Sequence, residues 1–202
     1  MLSVHDPGKL PPPAAPEIAF VGRSNAGKSS ALNALTSQRR LAFVSKTPGR
    51  TQLINFFAVG EEAFLVDLPG YGFAGVPRAV REHWGALVGD YVGGRTSLAG
   101  IVLAMDIRHP LTPADCDFLA WLQPTGRPLH VLLTKADKLS AQGAHRALTQ
   151  TRRALVDAYP GATLQLFSAL RKVGVDEARE HINTWANTAG RPGLPMLQSP
   201  PS

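Results

Sequence analysis

The sequence predicts an α/β fold, in which a doubly wound, mostly parallel sheet with one antiparallel edge strand is flanked by helices. Three short apolar runs, at residues 18–21, 101–105 and 131–133, are typical of parallel strands that are buried on both faces. Segments with helical apolar periodicity lie between these runs, and this alternation favours right-handed crossovers. Ligands of such sheets bind at the carboxyl ends of the strands.

The remaining strands are predicted from turn residues and short apolar runs. Residues 53–59 and 63–66 flank Gly60-Glu61, a pair typical of a hairpin turn, so one strand of this hairpin is expected to run antiparallel at the sheet edge. A last strand is expected at residues 164–167.

Five helices are predicted, the first over residues 30–35 and the second after Pro77. Thr112, followed by Pro113, and Ser140 are suited to N-cap two later helices. Pro160-Gly161 is expected to end the helix that Ser140 begins, and the last helix is expected to end near Gly190. The side chains predicted to face the core are Val80, Trp84, Leu87, Val88 and Tyr91 in the second helix, Leu148, Leu155, Val156 and Tyr159 in the fourth, and Val175, Ala178, Ile182, Trp185 and Ala186 in the fifth.

Length and composition predict one globular domain. Of the 202 residues, 44% are hydrophobic and 18% are charged, which is enough apolar material for a core of its own. We expect a flexible segment over residues 1–16, the folded domain over residues 17–188 and a disordered proline-rich tail over residues 189–202. No apolar run is long enough to cross a bilayer and residues 1–16 contain no apolar signal segment, so a monomeric protein of the cytoplasm without membrane contacts is expected.

Cysteine content and charge narrow the class of protein further. The single cysteine, Cys116, excludes an internal disulfide framework, and its place in a helical pattern predicts a small core residue. The net charge of +6 favours an acidic partner such as nucleic acid, although general solubility explains it equally well.

The most informative motif is a phosphate-binding loop of the form G-x-x-x-x-G-K-S. It reads Gly22-Arg23-Ser24-Asn25-Ala26-Gly27-Lys28-Ser29, with Ser30 next, and it lies between an apolar strand and a helix, as the motif requires. Its backbone N–H groups and the helix start are expected to surround the β-phosphate of a nucleotide. Lys28 is predicted to reach the β- and γ-phosphates, and Ser29 to ligate Mg²⁺.

A second motif, Asp67-Leu68-Pro69-Gly70, follows the apolar strand that ends near residue 66. A carboxylate at this strand end can hold Mg²⁺ directly or through water. Gly70 can bring its N–H group close to the γ-phosphate because it has no side chain.

Two further motifs indicate the base of the nucleotide. Thr134-Lys135-Ala136-Asp137 is similar to the N/T-K-x-D motif of GTPases, in which the Asp carboxylate accepts hydrogen bonds from guanine N1–H and the exocyclic amine and the Lys stem lies over the base. Ser168-Ala169-Leu170 resembles the last GTPase motif, whose central N–H meets the guanine O6. A helix-capping loop is the alternative interpretation of the first segment.

The segment that precedes the hairpin corresponds to the first switch of a GTPase. It reads Thr47-Pro48-Gly49-Arg50-Thr51, and the predicted nucleotide contacts continue through Gln52 and Leu53. Thr51 is expected to give its hydroxyl to Mg²⁺ and its N–H to the γ-phosphate, with Thr47 as the competing candidate.

Taken in order and spacing, these motifs resemble one family, the bacterial EngB-type ribosome-biogenesis GTP-binding proteins. The resemblance extends from about residue 17 to about residue 185 and includes G-R-S-N-A-G-K-S-S, T-P-G-R-T-Q, D-L-P-G-Y-G, T-K-A-D-K and S-A-L. It implies a Ras-like domain that binds GTP or GDP with Mg²⁺, with Lys28, Thr51 and Gly70 as catalytic residues and Ser29, Thr51 and Asp67 as metal ligands. It also implies a role in assembling the large ribosomal subunit, with that subunit or its precursor as partner, and in normal cell division and septation.

Two residues bear on the rate of hydrolysis. Tyr71 occupies the position where many GTPases have the glutamine that orients the attacking water, which predicts slow intrinsic hydrolysis unless Arg50, an ion or the ribosome completes the site. Asn25 has two interpretations, as a ligand of K⁺ or as a residue that tolerates unusual loop dihedrals.

Other functions remain open from the sequence. One is an RNA-binding or division-site adaptor in which the nucleotide is only structural, and another is an ATP-dependent phosphotransferase. Arg108 and His109, which follow Asp106 at the end of a central strand, are interpreted as loop structure or surface residues. The basic residues that could face ribosomal RNA are Arg39, Arg40, Lys46, Arg50, Arg78, Arg152, Arg153, Arg171 and Lys172.

Overall fold

The computed structural model describes residues 2–4, 9–13, 15–37, 53–60, 63–72 and 78–188, with backbone alone for 78–84. The strands in these ranges are β1 Leu2–Val4, β2 Glu17–Gly22, β3 Ile54–Val59, β4 Ala63–Asp67, β5 Leu98–Asp106, β6 Leu129–Thr134 and β7 Thr163–Leu166. The helices are α1 Lys28–Leu35, α2 Arg78–Gly94, α3 Pro113–Leu122, α4 Ala141–Ala158 and α5 Val175–Thr188. These strands form one sheet in the order β1-β3-β4-β2-β5-β6-β7.

The predicted mostly parallel sheet is confirmed, since β4, β2, β5, β6 and β7 pair in parallel. The hairpin is also confirmed, with β3 antiparallel to β4. The prediction that β3 is the edge strand is wrong, because β1 pairs antiparallel with its outer side, Leu2 opposite Phe56 and Val4 opposite Ile54. Burial of the Val4 side chain provides the physical reason.

Within residues 1–16, predicted to be flexible, the described residues therefore contribute to the fold. Besides β1, Leu10 packs against the core, and the carbonyl oxygen of Pro11 accepts a hydrogen bond of 2.7 Å from the Arg95 guanidinium. The tail over residues 189–202 and the predicted helix end near Gly190 lie outside the described residues.

Both faces of the sheet are covered, as the continuous apolar runs predict. Along β2, Ile18 and Phe20 face a cluster that includes α1 and α5, whereas Ala19 and Val21 face the cluster of α2, α3 and α4. A strand buried on both sides cannot alternate apolar with polar residues, which is why its sequence is apolar throughout.

The helix caps form as predicted, with one error in the buried face of α4. Thr112 and Asp115 form a capping box at α3, and the Ser140 hydroxyl accepts from the Gly143 N–H at α4. Leu155 is buried, but Val156 is 64% exposed, because one residue further along a helix lies 100° away from the buried stripe. That stripe uses Ala144 and Thr151 instead.

The predicted buried face of α2 is confirmed where its side chains are described, whereas the prediction for Cys116 in α3 is wrong. Leu87, Val88 and Tyr91 of α2 are buried as predicted, while the side chains of Val80 and Trp84 lie outside the described part of the chain. Cys116 is exposed rather than buried, because α3 turns Asp115, Phe118 and Leu119 to the core and Cys116 away from it. None of the described helices combines the length and apolar character that crossing a bilayer requires.

Candidate nucleotide-binding site

The phosphate-binding loop lies at the carboxyl edge of the sheet, between β2 and α1. A Cβ atom at Gly22 would lie 2.6 Å from the Ala104 carbonyl oxygen of β5, so only glycine fits there. Gly27 has a φ of +91° and lies against Thr134 of β6, where a Cβ would come within 3.2 Å of the threonine side chain. Gly27 is also the N-cap of α1 and provides no side-chain cap. Gly27 therefore leaves the first N–H groups of this helix without a cap from its own side chain, and helix starts of this kind can bind anions.

Lys28 and Asp67 meet at this edge, although 39 residues separate them. The Lys28 Nζ forms an ion pair with the Asp67 Oδ1, and the two side chains are 11% and 8% exposed. β2 and β4 are neighbours in the sheet, with Phe20 opposite Asp67, which places the end of β4 beside the phosphate-binding loop. Lys28, the predicted phosphate ligand, and Asp67, the predicted metal ligand, are thus in direct contact.

The loop after β6 holds the phosphate-binding loop from the other side. The Thr134 hydroxyl lies 2.5 Å from the Ala26 carbonyl oxygen and 3.0 Å from that of Met105. The Lys135 Nζ donates to the carbonyl oxygen of Asn25 at 2.7 Å. Lys135 itself has a φ of +57°, a left-handed conformation that the surrounding contacts maintain.

Asp137 is oriented by the last motif. The hydroxyl of Ser168, which is fully buried, donates to the Asp137 Oδ1 at 2.6 Å, and the Arg171 N–H donates to the Ser168 Oγ. The Ser168 hydrogen bond lowers the pKa of Asp137, partial burial opposes this, and the charges of Lys138 and Arg171 add to the lowering. Asp137 therefore stays ionised at this edge of the sheet.

Comparison with known proteins identifies the family. A family model described as "50S ribosome-binding GTPase" matches residues 17–135. The chain is 56% identical over 184 residues to the probable GTP-binding protein EngB of Methylobacillus flagellatus, which covers 91% of this chain and 89% of the relative. It is 57% identical over 179 residues to that of Nitrosomonas europaea, with 89% and 81% covered. The chain belongs to the EngB-type proteins of this GTPase family.

The fold of this EngB-type chain is similar to solved structures of GTP-binding proteins. The crystal structure of a probable GTP-binding protein engB matches with a TM-score of 0.64 and 20% identity, over 85% of this chain and 99% of that one. Era, solved with MgGDPNP and nucleotides 1506–1542 of 16S ribosomal RNA, matches with a TM-score of 0.68 and 21% identity, over 90% and 60%. These structures support the fold, and the identities of 56% and 57% to the EngB relatives confirm the resemblance that the motifs predict.

The structure of this EngB-type chain brings together the predicted site residues that it describes. The phosphate-binding loop with Ser30, the segment Asp67-Leu68-Pro69-Gly70, the segment Thr134-Lys135-Ala136-Asp137 and Ser168 meet at the carboxyl ends of β2, β4, β6 and β7. Ala169 packs on the core, but the Leu170 side chain is 74% exposed. Thr47, Gly49, Arg50, Thr51 and Gln52 lie outside the described residues, Leu53 lies just before β3, and their roles stay predictions.

Tyr71 has a structural role that the motifs do not reveal. Its ring stacks on Phe118 at 5.0 Å between centroids, and its hydroxyl donates to the Asp115 Oδ1 at 2.7 Å. Its backbone pairs with the phosphate-binding loop, since the Tyr71 N–H donates to the Gly22 oxygen and the Ser24 N–H to the Tyr71 oxygen. Burial raises the pKa of Tyr71 well above its ordinary value. The side chain is thus a core residue directed at α3.

We expect Tyr71→Phe to lower the free energy of unfolding by about 1.5–3 kcal/mol, the value of a hydrogen bond to a charged partner. The GTP hydrolysis rate should not change, because the hydroxyl is bonded to Asp115 inside the core. Urea denaturation and single-turnover hydrolysis measure the two quantities. A slower hydrolysis at unchanged stability would place the hydroxyl in the catalytic site instead.

Guanine nucleotide binding should weaken as the solution is acidified. We expect Ser168→Ala to raise the pH at which this weakening occurs. Ionised Asp137 contributes above its pKa, and that contribution is lost as the pH falls through the pKa. Because the Ser168 hydroxyl lowers this pKa, its removal raises the pKa and shifts the loss upward. GDP affinity measured along an acid titration tests this, with Ser140→Ala as a control that removes a distant serine cap. If wild type and Ser168→Ala lose GDP affinity at the same acidic pH, this expectation is wrong.

Proposed function

We propose that this chain is a guanine-nucleotide switch with slow, Mg²⁺-dependent GTP hydrolysis, acting in the bacterial cytoplasm in large ribosomal subunit assembly and needed for normal cell division and septation. The observation that carries the nucleotide part is the Asp137 carboxylate, oriented by Ser168 and joined through Lys135 to the phosphate-binding loop. The family model, described as a 50S ribosome-binding GTPase, supports the ribosomal part.

Base selection follows from the chemistry of the oriented carboxylate. With one oxygen accepting from Ser168, Asp137 can still accept from the N1–H and the exocyclic amine of guanine, since a carboxylate accepts about four hydrogen bonds. Adenine presents no matching pair of donors and would leave the carboxylate unpaired, which such sites penalise strongly.

Phosphate binding and metal binding are assigned to neighbouring residues. Ser29, Asp67 and Thr51 would hold Mg²⁺, and the first two supply the oxygen donors that this ion prefers. The Lys28–Asp67 ion pair supports this assignment, because it places one cationic group beside the Asp67 carboxylate. When bound, Mg²⁺ supplies positive charge that offsets the β- and γ-phosphates. Lys28 then binds phosphate oxygens, and Gly70 directs its N–H to the γ-phosphate.

Slow hydrolysis follows from the position of Tyr71. Its side chain lies in the core against Phe118, so it does not orient the attacking water. Catalysis is left to Lys28, Gly70 and Thr51, which stabilise charge on the phosphates. Asn25 has a φ of +63°, which supports its interpretation as a residue suited to the loop dihedral, and its role as a K⁺ ligand remains a second prediction.

Binding of labelled GTP in competition with GTP, ATP, CTP and UTP tests the nucleotide assignment. We expect only GTP to compete at low concentration, and equal competition by ATP would favour a phosphotransferase. Hydrolysis rates in K⁺ and Na⁺ then test the ion, since equal rates would exclude a K⁺ ligand at Asn25.

Co-sedimentation with the large ribosomal subunit in GTP, in GDP and without nucleotide tests the switch. We expect binding to be strongest with GTP and to weaken with salt, because exposed basic residues such as Arg152, Arg153 and Arg171 can contact RNA phosphates. Arg39, Arg40, Lys46 and Arg50 lie outside the described residues. Equal association in all three states would favour an adaptor in which the nucleotide is structural.

A further inference from the structure

We propose that Asp106 is a positioning residue for guanine-nucleotide binding, which holds the Lys135 ammonium on the phosphate-binding loop. This inference rests on the proposed nucleotide site. Asp106 is the last residue of β5 and is 8% exposed. Its partner in the sheet register is Thr134, directly before Lys135, so the two loops leave the sheet side by side.

Lys135 connects three segments through one ammonium group. Its Nζ lies 2.9 Å from the Asp106 Oδ2 and 2.7 Å from the Asn25 carbonyl oxygen, which is 110 residues away in the chain. The end of β5, the base-reading loop and the phosphate-binding loop therefore share one cation. The backbone adds to this link, because the Ile107 N–H donates to the Thr134 oxygen.

Arg108 fixes the carboxylate that holds Lys135. Its Nε and Nη2 lie 3.0 Å and 2.6 Å from the two oxygens of Asp106, and its backbone N–H donates to Oδ1 at 3.1 Å. Such a bidentate pair fixes the plane of the carboxylate. Burial alone would raise the pKa of Asp106, but the hydrogen bonds from Arg108 and Lys135 outweigh it and lower the pKa. Asp106 therefore remains an anion in front of the lysine.

The consequence for binding is preorganisation. The Lys135 side chain is 30% exposed, and a lysine stem has several rotatable bonds whose freedom is lost when it lies against a base. With its ammonium held by Asp106, the stem is fixed before the nucleotide arrives. Without Asp106, the Lys135 ammonium would keep the Asn25 carbonyl as its partner of the two. More of the entropy cost of ordering the lysine side chain would then be paid when the nucleotide binds.

The test is a double-mutant cycle of Asp106→Asn and Lys135→Ala. For each variant, the affinity and the dissociation rate of fluorescently labelled GDP are measured. Asp106→Asn should weaken GDP binding about tenfold, the value of one charge-assisted hydrogen bond. In the Lys135→Ala background the same change should have almost no effect, since Asp106 acts through that lysine. Asp106→Glu, which keeps the negative charge, should recover part of the loss.

The matched control is Glu17→Gln, which removes the charge of another buried carboxylate paired with an arginine, at the opposite edge of the sheet. It should lower the melting temperature and leave GDP affinity unchanged. If Asp106→Asn behaves like this control, or if its effect adds fully to that of Lys135→Ala, the inference is wrong. If Lys135→Ala itself has no effect, the proposed nucleotide site fails as well. Should Asp106→Asn not fold, Asp106→Glu enters the same cycle, with a smaller loss that must also vanish beside Lys135→Ala.

Discussion

Replacing Asp137 with Asn is expected to lower GDP affinity about a thousandfold, because two charge-assisted hydrogen bonds of roughly 1.5–3 kcal/mol each are lost. The new amide presents an N–H donor where guanine also presents donors. Xanthine has a carbonyl in place of the exocyclic amine, so xanthosine diphosphate should bind the variant better than GDP does.

The loop should survive this substitution. The Ser168 hydroxyl donates to the Asp137 Oδ1, and an Asn oxygen at the same position can accept that hydrogen bond. Calorimetry with GDP, xanthosine diphosphate and ADP measures the selectivity of wild type and variant. Asp157→Asn, on the exposed surface of α4, is the control for loss of one negative charge. An unchanged preference for GDP in Asp137→Asn would remove the basis of the base assignment.

The strands that the sequence predicts best are those whose environment leaves a local pattern. β2, β5 and β6 are buried on both faces, so their apolar runs are continuous and recognisable. β1 leaves no such pattern, since it has three residues of which only Val4 is buried, and it is defined by pairing with β3 about fifty residues later. Its existence depends on a non-local partner that periodicity does not reveal.

In the site, too, local features are predicted from the sequence and long-range contacts are not. The motifs identify the phosphate-binding loop, Asp67, Asp137 and Ser168 because their spacing is local. The contacts that join these segments are long-range: Lys28 to Asp67, Thr134 to Ala26, and Lys135 to Asn25. The contact of Asp106 with Lys135 is not predicted, because a single carboxylate at a strand end has no distinctive neighbours in sequence. Arg108, two residues later, was the available signal, since its spacing allows it to fold back on the same carboxylate.

Tyr71 shows how a motif position can change its role. Sequence comparison with glutamine-containing GTPases directs attention to the missing water-orienting group, whereas the structure shows a tyrosine that packs on α3. The ring and hydroxyl fix the residue after Gly70 to the core, and its backbone pairs with Gly22 and Ser24. The position thus joins the segment Asp67-Leu68-Pro69-Gly70 to the phosphate-binding loop.

Replacing Arg95 with Ala is expected to lower the free energy of unfolding by about 3–5 kcal/mol, because it leaves the buried Glu17 carboxylate without its cation. The two side chains are 8% and 2% exposed, and Arg95 donates to both Glu17 oxygens at 2.5–3.0 Å. Tyr91 and Ser97 also donate to this carboxylate, at 2.7 Å and 2.9 Å. Those neutral donors cannot replace the charge.

Urea denaturation with and without GDP measures this effect and separates it from nucleotide binding. Glu17 is the first residue of β2, whereas the phosphate-binding loop begins at the last residue, Gly22. The variant should therefore be destabilised yet keep wild-type GDP affinity at temperatures where it is folded. The double variant Glu17→Gln with Arg95→Ala should lose less stability than the sum of the two single variants, because no unpaired charge remains buried. Strict additivity, or a loss below about 1 kcal/mol, would mean that water or another group solvates Glu17 and that this edge of the sheet does not depend on the ion pair.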